Sequence, residues 1–363
     1  SLCNASITRL LEYTVFYILN LISNQFTMNN QTYSFAGTCT TALRWVAGWT
    51  YFSAFWRRII LENKLNPDEA GYIGEKFNHF LPHALGIKPI IEYLVSNPDS
   101  LWWAMVTFTI IEGIVGLLFM LGLFTRLMSI GVFSLALGIL LGSGWLGTTC
   151  LDEWQIGVLG VATGFTIFLS GGGKYALDEY LIRKKIFLHK KWGPLLGSDV
   201  LPIKKNILNK IVLIGSIFII GLTLFTNQYF HGGVYGKLHN LSVHPHITIS
   251  NAHIQNENLS FTVFRDEGAD VYGSFLIGIK LIDENEKTIF EQTQTQLSKL
   301  SSSQIKNDYV AKVKPGKHSL ILPLGARATL SFKKHTLRNL NGKYTLELLD
   351  ISGTKWQTTI IVK

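Results

Sequence analysis

The sequence predicts an α-helical membrane four-helix bundle plus one anchoring transmembrane helix, followed by an all-β antiparallel sandwich domain. Three observations lead there. Charged residues make up only 16% of the 363 residues, where a soluble protein carries about a quarter. Before about residue 230 the apolar residues cluster in long runs; beyond it they alternate with polar ones. The first pattern suits lipid-spanning helices and the second suits half-buried strands.

Residues 1–34 read as an N-terminal extension. The run Leu10–Ile22 is too short to span, and it has neither a basic start nor an A-x-A site, so it does not read as a signal peptide. The chain begins with Ser, and Met28 precedes a polar stretch, which makes Met28 a candidate translation start. Spans of about twenty residues follow: Gly37–Trp56, Leu101–Phe124, Leu127–Leu146 and Trp154–Gly173, then a fifth, Ile211–Phe230, without charge. Only Thr125-Arg126 separates the second from the third, which implies an antiparallel hairpin. Gly138 and Gly142 in the third span, and Gly157, Gly160 and Gly164 in the fourth, have the small-residue spacing that lets helices approach in lipid. After residue 230, "LSFTVF", "SFLIGIKL", "HSLILPL", "KYTLELL" and "WQTTIIV" alternate with period two, with turns at Asn341-Gly342 and Ser352-Gly353. About eight short strands are expected, which suits a sandwich.

The net charge is +9, and much of it lies in one stretch: Lys174, Arg183, Lys184, Lys185, Lys190, Lys191, Lys204, Lys205 and Lys210. A cytoplasmic loop between two spans accounts for this better than nucleic-acid binding. The β region, the loop 57–100 and the loop Gly142–Trp154 then lie outside. Arg57-Arg58 also fall outside, against the charge rule. The three cysteines, Cys3, Cys39 and Cys150, form no CxxC or CxxCH, so sequence-typical haem attachment, cysteine-ligated iron–sulfur clusters and a disulfide scaffold are not expected. Neither a GxGxxG after a strand nor a GxxxxGK[ST] is present, which argues against classical dinucleotide and P-loop sites.

Glu112 sits in the middle of the second span. A charge at the bilayer centre costs about 2.5–3.5 kcal/mol on insertion scales. Two readings stay open: a structural carboxylate, paired with Arg44 at a depth roughly 10 Å away by helical rise, or a proton-exchanging site inside the membrane. On the outer side, Arg57 and Arg58 suit an oxyanion, because the guanidinium fork matches a sulfonate or carboxylate edge, or else they reach to headgroups. Asp152, Glu153 and Trp154 lie nearby. Cys150 is either an inert interfacial cysteine or a thiol able to attack a sulfur substrate. His79 and His83 flank Pro82, which disturbs a shared helix face. Five histidines fall in residues 231–253. His244 and His246 point to one side of an extended chain, but no carboxylate or cysteine completes a ligand spacing, and no metal site is assigned.

The stretches "LRWVAGWTYFSAFWRR" and "EGIVGLLFMLGLFTRL" resemble the membrane bundle of the DoxX/DoxD family, with Glu112 and Arg126 matching its pattern, and "CLDEWQIGV" resembles the DoxD branch. "HGGVYGKLHNLS", "EGADVYGSFLIGI" and "PLGARATL" resemble DoxA. The resemblance implies a fused thiosulfate:quinone oxidoreductase in a bacterial cytoplasmic membrane, with a DoxD-like domain at 35–175, a basic loop at 176–210, a fifth helix at 211–230 and a DoxA-like extracytoplasmic domain at 231–363. It implies that thiosulfate is oxidised to tetrathionate while a membrane quinone is reduced, with no bound haem, flavin or iron–sulfur cluster. Glu112 and Cys150 are then the catalytic candidates, and Arg57, Arg58, Asp152, Glu153 and Trp154 the substrate-binding ones. Expected partners are thiosulfate, quinone and the lipid bilayer, with a homo-oligomer left open. Two rival readings are a non-enzymatic membrane-anchored binding protein and a proton-coupled anion transporter.

Overall fold

The computed structural model describes residues 35–69, 71–147, 152–186, 193–269 and 274–362. The expected extension, the Met28 start, Cys150, Lys190 and Lys191 lie outside the described residues. The helices are α1 Thr41–Phe55, α2 Ile73–Asn78, α3 Lys88–Ser96, α4 Pro98–Leu121, α5 Thr125–Ser143, α6 Asp152–Ser170, α7 Leu177–Arg183, α8 Gly193–Leu196 and α9 Lys205–His231, and a short α10 (Gln294–Leu297) lies among the strands. Three of them, α4, α5 and α9, are long and apolar enough to cross a membrane. Helix α1 has 15 residues and continues into a π-helical turn, Trp56–Leu61. Lys205 and Lys210, read as loop residues, belong to α9.

The described residues fall in two compact units. One is drawn from Ser1–Trp56, Ile111–Leu135 and Leu159–Ile219, the other from Arg57–Ile110, Ala136–Val158 and Ile220–Lys363. In the first unit α1 packs against α4 through glycines. A Cβ on Gly48 would come within 2.7 Å of Met120, and one on Gly113 within 2.6 Å of the Phe55 ring. One on Gly116 would collide with the backbone of Phe52. Gly131 admits Val115 of α4 to α5, and Gly164 admits Phe133 of α5 to α6. The expected Gly138–Gly142 contact does not form: Gly138 has open space beside it and Gly142 has only ordinary contacts with Phe80 and Ile87. Helical spacing alone does not say which side of α5 meets a neighbour.

The hairpin break also differs from expectation. It falls at 122–124, where Gly122 (φ 69°) and Phe124 (φ 50°) take left-handed backbone, and Thr125 and Arg126 already begin α5. Asp178 decides this. Its carboxylate accepts from the backbone N–H groups of Phe124 and Thr125, each at 2.8 Å, and from the Thr125 hydroxyl at 2.7 Å. These are the donors that a helix start leaves without intrahelical partners.

Among the described residues of the second unit, ten strands form two antiparallel sheets: β1 His246–Gln255, β2 Asn258–Glu267, β3 Ser274–Ile282, β4 Thr288–Thr293, β5 Ile305–Asn307, β6 Lys314–Pro315, β7 Leu320–Leu322, β8 Arg327–Lys333, β9 Gly342–Asp350 and β10 Lys355–Val362. One sheet has the order β1-β2-β8-β5 and the other β10-β9-β3-β7-β6, with β4 also paired to β3. Their inward residues, among them Phe261, Val263, Leu330, Leu281, Leu346 and Trp356, form one apolar core. The period-two stretches became β2, β3, β7, β9 and β10. Strand β1 breaks its alternation with a register shift between Ser250 and His253, and β5 and β6 are only three and two residues long. The loop helices share this unit. Leu81, Ile91, Val95 and Leu101 form a core with Tyr309 and Val310 of the β region.

Candidate functional site

Glu112 is 4% exposed, inside α4, and Tyr51 of α1 is equally buried. The two are close enough for the carboxylate's charge to act on the phenol. Beside Gly113 and Gly116 the neighbouring helix α1 packs closely, through the Phe55 ring and the Phe52 backbone. Arg44, weighed as the partner of Glu112, directs its guanidinium elsewhere. It donates to the carbonyls of Phe119 and Tyr175, both at 3.1 Å, and to that of Met120. Phe119 and Met120 belong to the last turn of α4, whose carbonyls lack helical partners and carry the negative end of the helix dipole. A buried arginine fork fits that place.

Arg126 does the same for α6. It is fully buried, its Nε donates to Phe168 at 2.9 Å, and its Nη1 reaches the carbonyls of Pro194, Gly197 and Asp199. Asp178 completes this polar end with Ser198, whose hydroxyl donates to it at 2.9 Å. Burial holds the Asp178 carboxyl above the ordinary carboxylate range, against the pull of its hydrogen bonds from Thr125, Phe124 and Ser198. Sequence reasoning missed Asp178. Its one signal was belonging to the acidic pair Asp178-Glu179 at a helix start, in an otherwise basic stretch.

In the second unit, Arg57 is exposed and Arg58 half-buried on the π-helical turn. Asp152 opens α6. Glu153 lies 4.0 Å from Lys76 of α2, and Trp154 donates from its ring nitrogen to the Thr226 hydroxyl of α9 at 3.0 Å. His79 caps the end of α2, while His83 lies in a 3-10 turn, Leu81–His83. The His83 ring packs edge-on against Trp145, 4.9 Å between centroids. Burial pushes its imidazole below the ordinary histidine range, with Asp266 pulling the other way. His246 meets Asp266 at 2.6 Å, and Thr248 donates to the second oxygen of the same carboxylate, also at 2.6 Å. The sequence showed no carboxylate for His246, because Asp266 arrives from the neighbouring strand. Among the described residues no group of three or more His, Cys, Asp or Glu side chains is placed to hold a metal ion.

Two further contacts tie the loop to the β region. Asn78, fully buried, donates to the Gly325 carbonyl at 2.7 Å and accepts from the Ala311 N–H at 3.2 Å. Gly325 has φ +73°, and a Cβ there would collide with Asn78. Glu92 accepts from the Tyr309 hydroxyl at 2.6 Å and pairs with Arg327 at 3.3 Å.

Apolar helices of membrane length, a buried carboxyl on one of them and a two-sheet β region define a membrane protein with an attached β domain. Residues 39–204 match the family of the TQO small subunit DoxD and residues 230–359 that of the TQO small subunit DoxA. The two matches lie one after the other on a single polypeptide. Both are small-subunit families of thiosulfate:quinone oxidoreductase, so an oxidoreductase linked to thiosulfate and quinone is the general function they support.

Proposed function

We propose that this chain passes electrons from thiosulfate to a membrane quinone, with tetrathionate as product. The observation that carries the reading is the presence of the DoxD and DoxA families on one chain. In the balanced reaction two thiosulfate dianions give up one electron each and join through a new sulfur–sulfur bond. The quinone takes both electrons and two protons to become the quinol. Glu112 handles these protons, and its burial beside the Tyr51 hydroxyl supports that role. Thiosulfate binds on the outer side at Arg57 and Arg58, with Asp152, Glu153 and Trp154 around it. Cys150 is the candidate to receive its electrons.

The architecture we propose has α1, α4, α5 and α6 as a four-helix membrane domain within 35–175, a basic cytoplasmic loop at 176–210, a fifth membrane helix at 211–230 and an extracytoplasmic β-sandwich at 231–363. The glycine contacts from α1 to α4, α4 to α5 and α5 to α6 support four packed helices. The bacterial cytoplasmic membrane is the site of action. The test is thiosulfate-dependent reduction of a quinone analogue by detergent-purified protein. Turnover with tetrathionate as product supports the reading, and purified, folded protein without turnover removes it.

A further inference from the structure

The first unit carries a groove of about 650 Å³, within the range of small-molecule sites. Trp45, Trp49 and Thr50 of α1 form one wall, Met120 at the end of α4 another, and Tyr175 and Leu177 the third. Trp45 and Trp49 are four residues apart and so share a helix side, each about half exposed (50% and 53%), and Tyr175 is 61% exposed. Single exposed aromatics on a membrane protein mark the headgroup level. Three around one concavity, beside an otherwise apolar lining, offer flat faces for a flat ring.

Two features behind the walls give the groove a chemical preference. Arg44 donates to the carbonyls of both Met120 and Tyr175, so its guanidinium ties two walls together and sets a positive charge behind them. The Lys174 ammonium lies over the Tyr175 ring, 6.0 Å from its centre. Cations so placed favour a ring whose oxygens gain negative charge on reduction. The turn of α1 that supplies Trp49 and Thr50 also supplies Tyr51, the neighbour of Glu112. One helical turn thus serves both the groove and the buried carboxyl. An acyl chain gains nothing from this charge.

We infer that this groove is the quinone site, taking the ring against Trp45, Trp49 and Tyr175. The inference rests on the quinone-reducing function proposed above. The probe is a photoreactive short-chain benzoquinone applied to the full chain in lipid nanodiscs, with adducts mapped by peptide mass spectrometry. Adducts are expected within 45–50 and 175–177, competed by unlabelled quinone and not by added phosphatidylcholine. Trp49→Ala should lower them about tenfold, the effect of losing ~1.4 kcal/mol of binding. Trp103→Ala, at another exposed tryptophan (65%), should leave them unchanged, with monodisperse, helical protein in both variants.

Adducts elsewhere, none at all, equal labelling in Trp49→Ala, or competition by phosphatidylcholine would each overturn the assignment. The two readings fail separately. Labelling in the groove without thiosulfate-dependent turnover removes the reaction and keeps the site. Turnover with adducts elsewhere removes the site and keeps the reaction.

Discussion

A carboxyl in the middle of an apolar helix needs a reason to stay, and the surroundings of Glu112 narrow the choice. Arg44 serves the end of α4, and Tyr51 is a polar neighbour of the carboxylate. Glu112→Gln preserves shape and hydrogen bonding but not proton exchange. It should lower quinone reduction by about 10²-fold or more with folded yield unchanged; full turnover across neutral pH would end the proton role, and loss of folding would make Glu112 a packing residue. For the arginine pair, Arg57→Lys and Arg58→Lys should raise KM for thiosulfate about tenfold with kcat kept, since a point charge replaces a fork. Unchanged kinetics in the double variant would take both out of the site. His83 gives a pH prediction. Its buried ring stays neutral below the ordinary histidine pKa, so between its lowered value and about 6.5 the unfolded chain binds more protons than the folded one. Stability should therefore fall on acidification through that window. His83→Gln should flatten the dependence of Tm on pH there, and an identical slope in both proteins would contradict it.

At the scale of elements, run length and composition are enough to announce the apolar helices, but not where they end or which sides meet. The α4–α5 break is placed by Asp178, 53 residues beyond Thr125, and no local pattern encodes that pairing. The glycines make the same point. Gly116→Ala should force α1 from α4 and lower the folded yield and Tm, by an overpacking cost of about 1–3 kcal/mol. Gly138→Ala, with open space beside it, should be neutral. Thermal unfolding of the two variants in detergent decides, and equal effects would refute the packing described. The stretches read as strands omitted the bulged β1 and the short β5 and β6, where no period shows, and also β4 and β8, although β8 alternates over its seven residues.

For the whole molecule, composition divides the chain near residue 230, whereas the compact second unit also takes in Arg57–Ile110 and Ala136–Val158. Asn78, Glu92 and Val95 join Gly325, Ala311, Tyr309, Val310 and Arg327 there. The loop 57–100 and the described part of the loop Gly142–Trp154 thus fall in one unit with the β region, together with the adjoining ends of their spans. The topology we propose puts these segments outside and Lys184–Lys191 inside. A membrane-impermeant thiol reagent applied to intact cells should label Cys150 and should not label a cysteine introduced at Lys190; the reverse result would invert the chain.

The class of this protein was written in the sequence: apolar runs, a period of two after them, the family motifs and the lone Glu112 all concern local preference for lipid, water or a strand, and local preference is what a linear pattern carries. Tertiary structure alone decided who meets whom. It sent Arg44 to a helix end instead of Glu112, gave Asp178 to the start of α5, brought Asp266 to His246 and closed Gly325 over Asn78. Each of these joins residues between 20 and 247 positions apart. Buried polar groups must find partners, but the sequence records only that they exist, and the packing of distant elements determines which partner is within reach.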